Sequence, residues 1–287
     1  MMPVLRLSLL RGVCQMPAYV AQERGYFREA DLDVRVQIEP TASTVPDKLR
    51  TGECDFAVIP WTRVAVAERN GHPLVLVAGS GCAEAALVVR RGVHPDAVER
   101  VAVPLRGGMK DLTAMGLVRA LGWRNVELLS LPSGDAAILA LVGQGVDAAS
   151  MVEPYATMME LIGVGQVHRR TADLWPGVPG CSLTTTASRI AAEPAVVRRV
   201  VHAFVRGAQF VQAAPAQAAR IASRYIGVHE RFIEAALQVN QPDVRAICHA
   251  HSMDAVLQFM NDLGYIEGMP ENYRDLTFLE DALATVG

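Results

Sequence analysis

Cys14 lies in Arg11-Gly12-Val13-Cys14-Gln15-Met16-Pro17, between an expected strand end and an expected helix start. The reactive form of cysteine is the thiolate, and a helix N-terminus with Arg11 or Arg63 nearby would lower the thiol pKa. A nucleophile needs that environment, so Cys14 is the candidate catalytic residue. A thiol that merely lines a ligand pocket, or a small buried inert one, is the competing reading. Gln15 shares the loop and joins the candidate ligand contacts.

Arg63 follows Pro60-Trp61-Thr62. Its planar guanidinium matches the oxygens of carboxylate, sulfonate or nitrate two at a time, which makes it a candidate for catalysis or anion binding. A solvated arginine on the helical run that begins there explains it equally well. Trp61 offers an apolar or stacking wall, or else ordinary core. In Leu105-Arg106-Gly107-Gly108-Met109-Lys110-Asp111, the glycines Gly107 and Gly108 let backbone N–H groups converge on an anion at a helix start. A tight turn capped by Asp111 is the alternative. Neither the P-loop spacing nor a dinucleotide fingerprint is present. Ser133 opens the next helix as a cap and possible contact, while Thr41, Ser43 and Thr44 supply hydroxyl and backbone donors or, equally, helix caps. Glu153, held out of helix by Pro154, could accept from a ligand amino group or act locally as a cap. Cys248-His249-Ala250-His251 offers two metal ligands on one helix face without a third, so no metal site is expected. There is no G-x-S-x-G elbow, and no cofactor is expected.

These residues fall at the ends of regularly spaced elements. Val4–Leu9 reads as a strand, 17–27 as a helix, 32–38 as a strand, 43–51 as a helix and 55–59 as a buried strand. The order repeats as strand 101–104, helix 111–121, strand 126–131, helix 136–144 and strand 147–152. Such alternation predicts parallel sheets wound by right-handed crossovers. Extended segments 85–91 and 182–187 are expected to cross between the two sheets, and the remainder is helical: 193–213, 215–225, 230–239, 252–263 and 277–284. Two α/β lobes joined by two crossover strands make a hinged clam, with lobe I formed by 1–87 and 186–287 and lobe II by 88–185. Ligands bind such sheets outside the carboxyl ends of the strands. The loop Gly79-Ser80-Gly81-Cys82 faces that cleft and adds Ser80 to the candidates.

The chain has 287 residues, 51% hydrophobic and 20% charged, with a formal charge of −3. That composition is globular and excludes disordered and disulfide-scaffold classes. A slightly acidic balance gives no support to nucleic acid as a partner, and no apolar run is long enough to insert in a membrane. Arg6 and Ser8 interrupt the first apolar run, so no secretory signal is recognised. Five cysteines without a C-x-x-C pair suit free thiols in a reducing cytosol. The expected compartment is therefore cytoplasmic as the sequence stands, or periplasmic or extracellular if a leader precedes Met1.

Ala18-Tyr19-Val20-Ala21-Gln22-Glu23-Arg24-Gly25-Tyr26-Phe27, followed by Leu32-Asp33-Val34, resembles the opening of nitrate/sulfonate/taurine-type periplasmic substrate-binding proteins. Thr51-Gly52-Glu53-Cys54-Asp55-Phe56-Ala57 looks like their G-x-x-D-x-A strand entry. Gly145-Val146-Asp147-Ala148-Ala149 with Glu153-Pro154-Tyr155 looks like its second-lobe counterpart. Residues 193–236 are similar to their C-terminal helices, and Leu263-Gly264-Tyr265-Ile266 to their tail. The resemblance spans nearly the whole chain. It implies an α/β, two-lobed, periplasmic-binding-protein-like (type II) clam holding a small, anionic organic molecule or a pyrimidine, with an ABC transporter permease as partner if the chain is exported.

Two enzyme families share that fold. The pyrimidine synthases of thiamine biosynthesis carry a cysteine-rich motif and a sacrificial histidine; here only Cys181 stands in the matching region, and Arg63 where the histidine would fall. Aryl sulfinate desulfinases carry a cysteine after the first strand and an arginine after the third, the places of Cys14 and Arg63. Their histidine is missing, Pro46 or Glu53 standing there. The alternative functions are thus a cytoplasmic cysteine enzyme acting on a carbon–sulfur bond and, third, a cytoplasmic ligand-sensing module.

Overall fold

The computed structural model describes residues 4–131 and 134–286. In chain order the elements are β1 (Val4–Leu9), α1 (Met16–Glu23), α2 (Tyr26–Glu29), β2 (Asp33–Ile38), α3 (Val45–Thr51), β3 (Phe56–Pro60), α4 (Trp61–Arg69), β4 (Leu74–Gly79), β5 (Ala85–Arg90), β6 (Arg100–Pro104), α5 (Met109–Ala120), β7 (Glu127–Leu131) and α6 (Gly134–Val142). There follow β8 (Ala148–Val152), α7 (Tyr155–Leu161), β9 (Gly165–Arg170), β10 (Cys181–Thr186), α8 (Ala187–Ala192), α9 (Pro194–Ala213), α10 (Pro215–Ile226), α11 (Glu230–Val239), α12 (Ala250–Asp262) and α13 (Thr277–Val286).

Two sheets of five strands result, ordered β2-β1-β3-β10-β4 and β7-β6-β8-β5-β9. They are built alike. In each, the first strand pairs in parallel with the second and third, as the strand–helix alternation requires. In each, one antiparallel strand fills the fourth place: β10 between β3 and β4, and β5 between β8 and β9. The segments expected to cross between lobes are therefore strands inside the sheets, and the boundaries at 87/88 and 185/186 fall within β5 and β10. The chain changes sheets earlier, over 80–84 and again over 171–180. These two connectors lie side by side: Gly81 N–H donates to Cys181 O at 2.7 Å, Gly180 N–H to Gly81 O at 2.8 Å and Ala83 N–H to Val178 O at 2.8 Å.

One aspartate pins the parallel strands in each lobe. Asp55, just before β3, accepts the Arg6 backbone N–H at 2.7 Å and the Arg189 guanidinium at 2.6 Å. Asp147, just before β8, accepts the backbone N–H groups of Arg100 at 3.0 Å and Glu99 at 3.1 Å, with Arg90 at 3.0 Å. The aspartates of the two repeated strand-entry motifs thus satisfy backbone donors where neighbouring strands begin.

Helix α9 covers one face of the first lobe. Helix α9 buries Val197, Val200, Val201, Phe204, Val205, Ala208 and Val211, a stripe at helical spacing, and packs on α1. Gly207 permits the contact, since a Cβ there would lie 2.1 Å from Pro17 O.

Candidate functional site

A cavity of about 110 Å³ lies between the lobes. Its walls are loops at the carboxyl ends of parallel strands, where open α/β sheets place their ligands. The first lobe gives Cys14 after β1, Thr41 after β2, and Pro60 with Arg63 around the end of β3. The second gives Gly108, Met109 and Lys110 after β6, Asp135 after β7, and Val152 with Tyr155 around the end of β8. The first connector supplies Glu84, and the start of β10, just after the second connector, supplies Cys181.

Glu84 is 4% exposed. Its Oε1 accepts the Cys181 backbone N–H at 3.1 Å, and its Oε2 has no hydrogen-bond partner. Two glycines make room for it: a Cβ on Gly81 would sit 1.9 Å from Glu84 Oε2, and one on Gly180 2.3 Å from Glu84 Cδ. A carboxylate oxygen of Glu84 and the sulfurs of Cys14 and Cys181 lie within 4.8 Å of one another. Burial pushes the Glu84 carboxyl above its ordinary range, more than the adjacent thiols, the Cys181 N–H and Lys110 pull it down.

The environment expected to activate Cys14 is reversed. A hydrogen bond with Cys181 favours its thiolate, but burial and the Glu84 charge outweigh that and hold the thiol above its ordinary value. Cys181 is pushed up further, by its hydrogen bond with Cys14 and by burial. Helix α1 begins at Met16, and the intervening turn, Val13–Gln15, is a short 3₁₀ helix. Arg11 pairs across the cleft with Asp135 at 3.5 Å, and so does not serve Cys14.

Arg63 lines the cavity, but Nη2 donates to the second-lobe carbonyls of Leu105 at 3.4 Å and Arg106 at 3.2 Å, while Nε is buried without a partner. Burial draws its pKa below the ordinary arginine value, with Asp111 and Cys181 opposing. It therefore clasps the lobes together as well as facing the cavity. Beside it, Thr62 Oγ1 donates to Gly107 O at 3.0 Å.

The remaining expected contacts divide. Thr41 and Gly108 line the cavity, Gly108 as the N-cap of α5. Ser43 and Gly107 line a second cavity of about 390 Å³ along the outer seam, together with Arg106 and Tyr265. Gly107 N–H is already held by Asp111 Oδ2 at 3.0 Å. Thr44 is exposed and makes no cap bond to α3. Trp61 is 0% exposed and packs against Tyr273 in the core, so it forms no wall of the site. Gln15 is buried beneath the cavity, accepting Leu10 N–H at 3.1 Å and donating to Cys14 Sγ at 3.2 Å. Ser80 is buried, its hydroxyl bonded to Cys14 O. Glu153 is 1% exposed and spent on Arg170 at 2.7 Å and the Thr157 N–H at 3.0 Å, so it has no oxygen for a ligand amine. Ser133 lies outside the described residues. Cys248 is exposed, and among the described residues the one group able to surround a metal is Cys14, Glu84 and Cys181.

Sequence reasoning missed Glu84, Lys110 and the partnership of Cys181. The signal available was the placing of Glu84 and Cys181 at the ends of two chain segments that must run together if two lobes share a hinge.

The model of the NMT1-like family matches residues 3–226. The chain belongs to the NMT1-like family. No curated protein sequence matches it. Among solved structures, this NMT1-like protein is similar to the periplasmic nitrate-binding protein NrtA from Synechocystis PCC 6803, with a TM-score of 0.86 at 15% identity, covering 99% of this chain and 89% of that one. It is similar to the ligand-binding component of an ABC-type import system from Staphylococcus aureus, solved with zinc bound: TM-score 0.85, 12% identity, 98% and 99% coverage. The alkanesulfonate-binding protein SsuA from Xanthomonas axonopodis pv. citri, bound to MOPS, gives 0.80 at 15% identity, covering 96% and 100%. Likeness at such identity shows the two-lobed binding-protein fold. No helix among the described residues is long and apolar enough to cross a membrane.

Proposed function

We propose that this NMT1-like protein captures a small anionic organic molecule between its lobes, as the substrate-binding component of an ABC importer, with a membrane permease as partner. The observation that carries the reading is Lys110. Its ammonium lines the cavity from the first turn of α5, and no salt bridge holds it among the described residues. Burial draws it below its ordinary value, opposed by Cys181, Glu84, Cys14 and Asp135; an anion in the cavity would supply the missing countercharge. The α5 N-terminus, capped by Gly108 without a side-chain hydrogen bond, adds backbone donors and the positive helix end. Much of the remaining wall is apolar, including Leu10, Pro60, Pro104, Met109 and Val152, which suits a ligand with one acidic group and a short hydrocarbon body. The nitrate and alkanesulfonate named for the structural neighbours are likewise small anions, and the alkanesulfonate also carries a hydrocarbon body.

Calorimetry on chelator-treated protein with nitrate, bicarbonate, taurine, short alkyl sulfonates and a pyrimidine tests the proposal. One anion should bind, and Lys110→Met should weaken it by about 1.5–3 kcal/mol, the range for a hydrogen bond to a charged group. Binding of the neutral pyrimidine alone, indifferent to Lys110→Met, would overturn it.

A further inference from the structure

We propose that Cys14, Glu84 and Cys181 form a site for one thiophilic divalent cation, zinc being the type, at the hinge end of the interlobe cavity. The three side chains come from three separate segments: the loop after β1, the end of the first connector, and the start of β10. They are 5%, 4% and 4% exposed. Their donor atoms lie within 4.8 Å of one another. A tetrahedral ion about 2.3 Å from sulfur and about 2.1 Å from oxygen spaces its ligands roughly 3.5–3.8 Å apart. A contraction of about 1 Å closes the set.

Glu84 supplies an independent observation. Its Oε2 is buried and unpartnered, and Gly81 and Gly180 remove the Cβ atoms that would occupy the carboxylate's place. A buried carboxylate beside two thiols can be met by their S–H groups or by a cation, and a cation is the partner that all three share once deprotonated. Support behind the ligands is present. Gln15 Nε2 donates to Cys14 Sγ at 3.2 Å while its own Oε1 is anchored by Leu10 N–H, and the Cys181 N–H holds Glu84 Oε1.

Charge favours a cation as well. Two thiolates and a carboxylate sum to −3, and a divalent ion takes up two of those charges. Two sulfurs with one oxygen favour zinc-like ions over magnesium or calcium. Three protein ligands leave a fourth position open, and all three residues line the cavity. The inference stands apart from the anion reading, because its probe is the metal alone.

The test uses the full chain, reduced with a phosphine and stripped by chelator, titrated with cobalt(II). One equivalent should bind with sulfur-to-cobalt charge-transfer absorption and be displaced by one equivalent of zinc. Cys14→Ser and Cys181→Ser should each weaken binding by about 100-fold or more and Glu84→Gln by at least about tenfold, whereas Cys248→Ser, beside exposed histidines, should leave it unchanged. If the serine variants misfold, X-ray absorption of the zinc-loaded wild type still decides: two sulfur neighbours at about 2.3 Å support the site. A zinc shell of nitrogen and oxygen only, no thiolate–cobalt absorption, or absorption lost in Cys248→Ser overturns it. Failure here leaves anion binding to the metal-free protein intact, and failure of anion binding leaves this site intact.

Discussion

Tyr265 donates a hydrogen bond to Asp111 at 2.6 Å, tying the segment after α12 to the first turn of α5 in the opposite lobe. Arg106 strengthens the tie: its guanidinium lies 4.0 Å over the Tyr265 ring and donates to Leu263 O at 2.9 Å and Gly264 O at 3.0 Å. Burial, then the Asp111 carboxylate, pushes the Tyr265 phenol above its ordinary range, so it remains a donor throughout the neutral range. These contacts hold the lobes closed from outside the cavity. Tyr265→Phe should cost about 1.5 kcal/mol of closure, the low end for a bond to a charged acceptor at a half-buried site. Small-angle scattering of Tyr265→Phe and Arg106→Ala should show a larger radius of gyration than the parent; superimposable curves would refute the latch.

Asp147 carries a pH signature. Burial alone would raise its pKa, but the backbone N–H groups of Arg100 and Glu99, with Arg90, outweigh it and hold the carboxyl below its ordinary value. A depressed folded pKa contributes stability above the unfolded value of about 3.9, and that stability is lost as pH falls through the folded pKa. Asp147→Ala should therefore destabilise the protein by about 1.5–3 kcal/mol at neutral pH, with the gap shrinking in acid. Urea unfolding across the acid range measures it. A gap that does not change with pH would show that the charge plays no part.

Glu153 is the sharpest departure from expectation, and Arg170 explains it. The carboxylate is enclosed, and its partner bonds are all internal. Arg170→Ala leaves that charge buried and unpaired, which should cost about 3 kcal/mol. Anion affinity, corrected for folded fraction, should not change. A large loss of affinity with stability intact would return Glu153 to the ligand.

The parallel strands were legible because each is followed by its helix, so two periodicities alternate at a fixed spacing. The antiparallel strands were not: 85–91 and 182–187 read as extended, but nothing in a local period says which sheet they join, and pairing places each inside a lobe. Strands β4 and β9 escaped for related reasons. Leu74–Gly79 is buried throughout, without alternation, and Gly165–Arg170 is largely polar. At the site, Cys14 and Arg63 stood out because residues just beyond parallel strands face a cleft. Glu84 and Cys181 did not, being 97 residues apart and joined only where the connectors meet. Trp61 was misplaced because an aromatic following a strand fits a pocket wall and a core equally well until packing is known.

Cysteine reactivity separates the binding reading from an enzyme with an activated thiol. Cys248 is exposed, Cys82 is half-buried, and Cys14, Cys54 and Cys181 are buried. Burial pushes Cys82 up to about 11 and Cys54 up to about 11, and Cys14 and Cys181 are also raised. At about 11, roughly one thiol in ten thousand is ionised at neutral pH, and alkylation needs the thiolate. Iodoacetamide on metal-free protein should therefore label Cys248 first, Cys82 next and the buried three last, as read by peptide mass mapping. The buried thiols should also speed up roughly tenfold per pH unit, up to the point where the fold opens. Labelling of Cys14 ahead of Cys248 at neutral pH would mean a stabilised thiolate in the cavity, and the nucleophile would have to be reinstated.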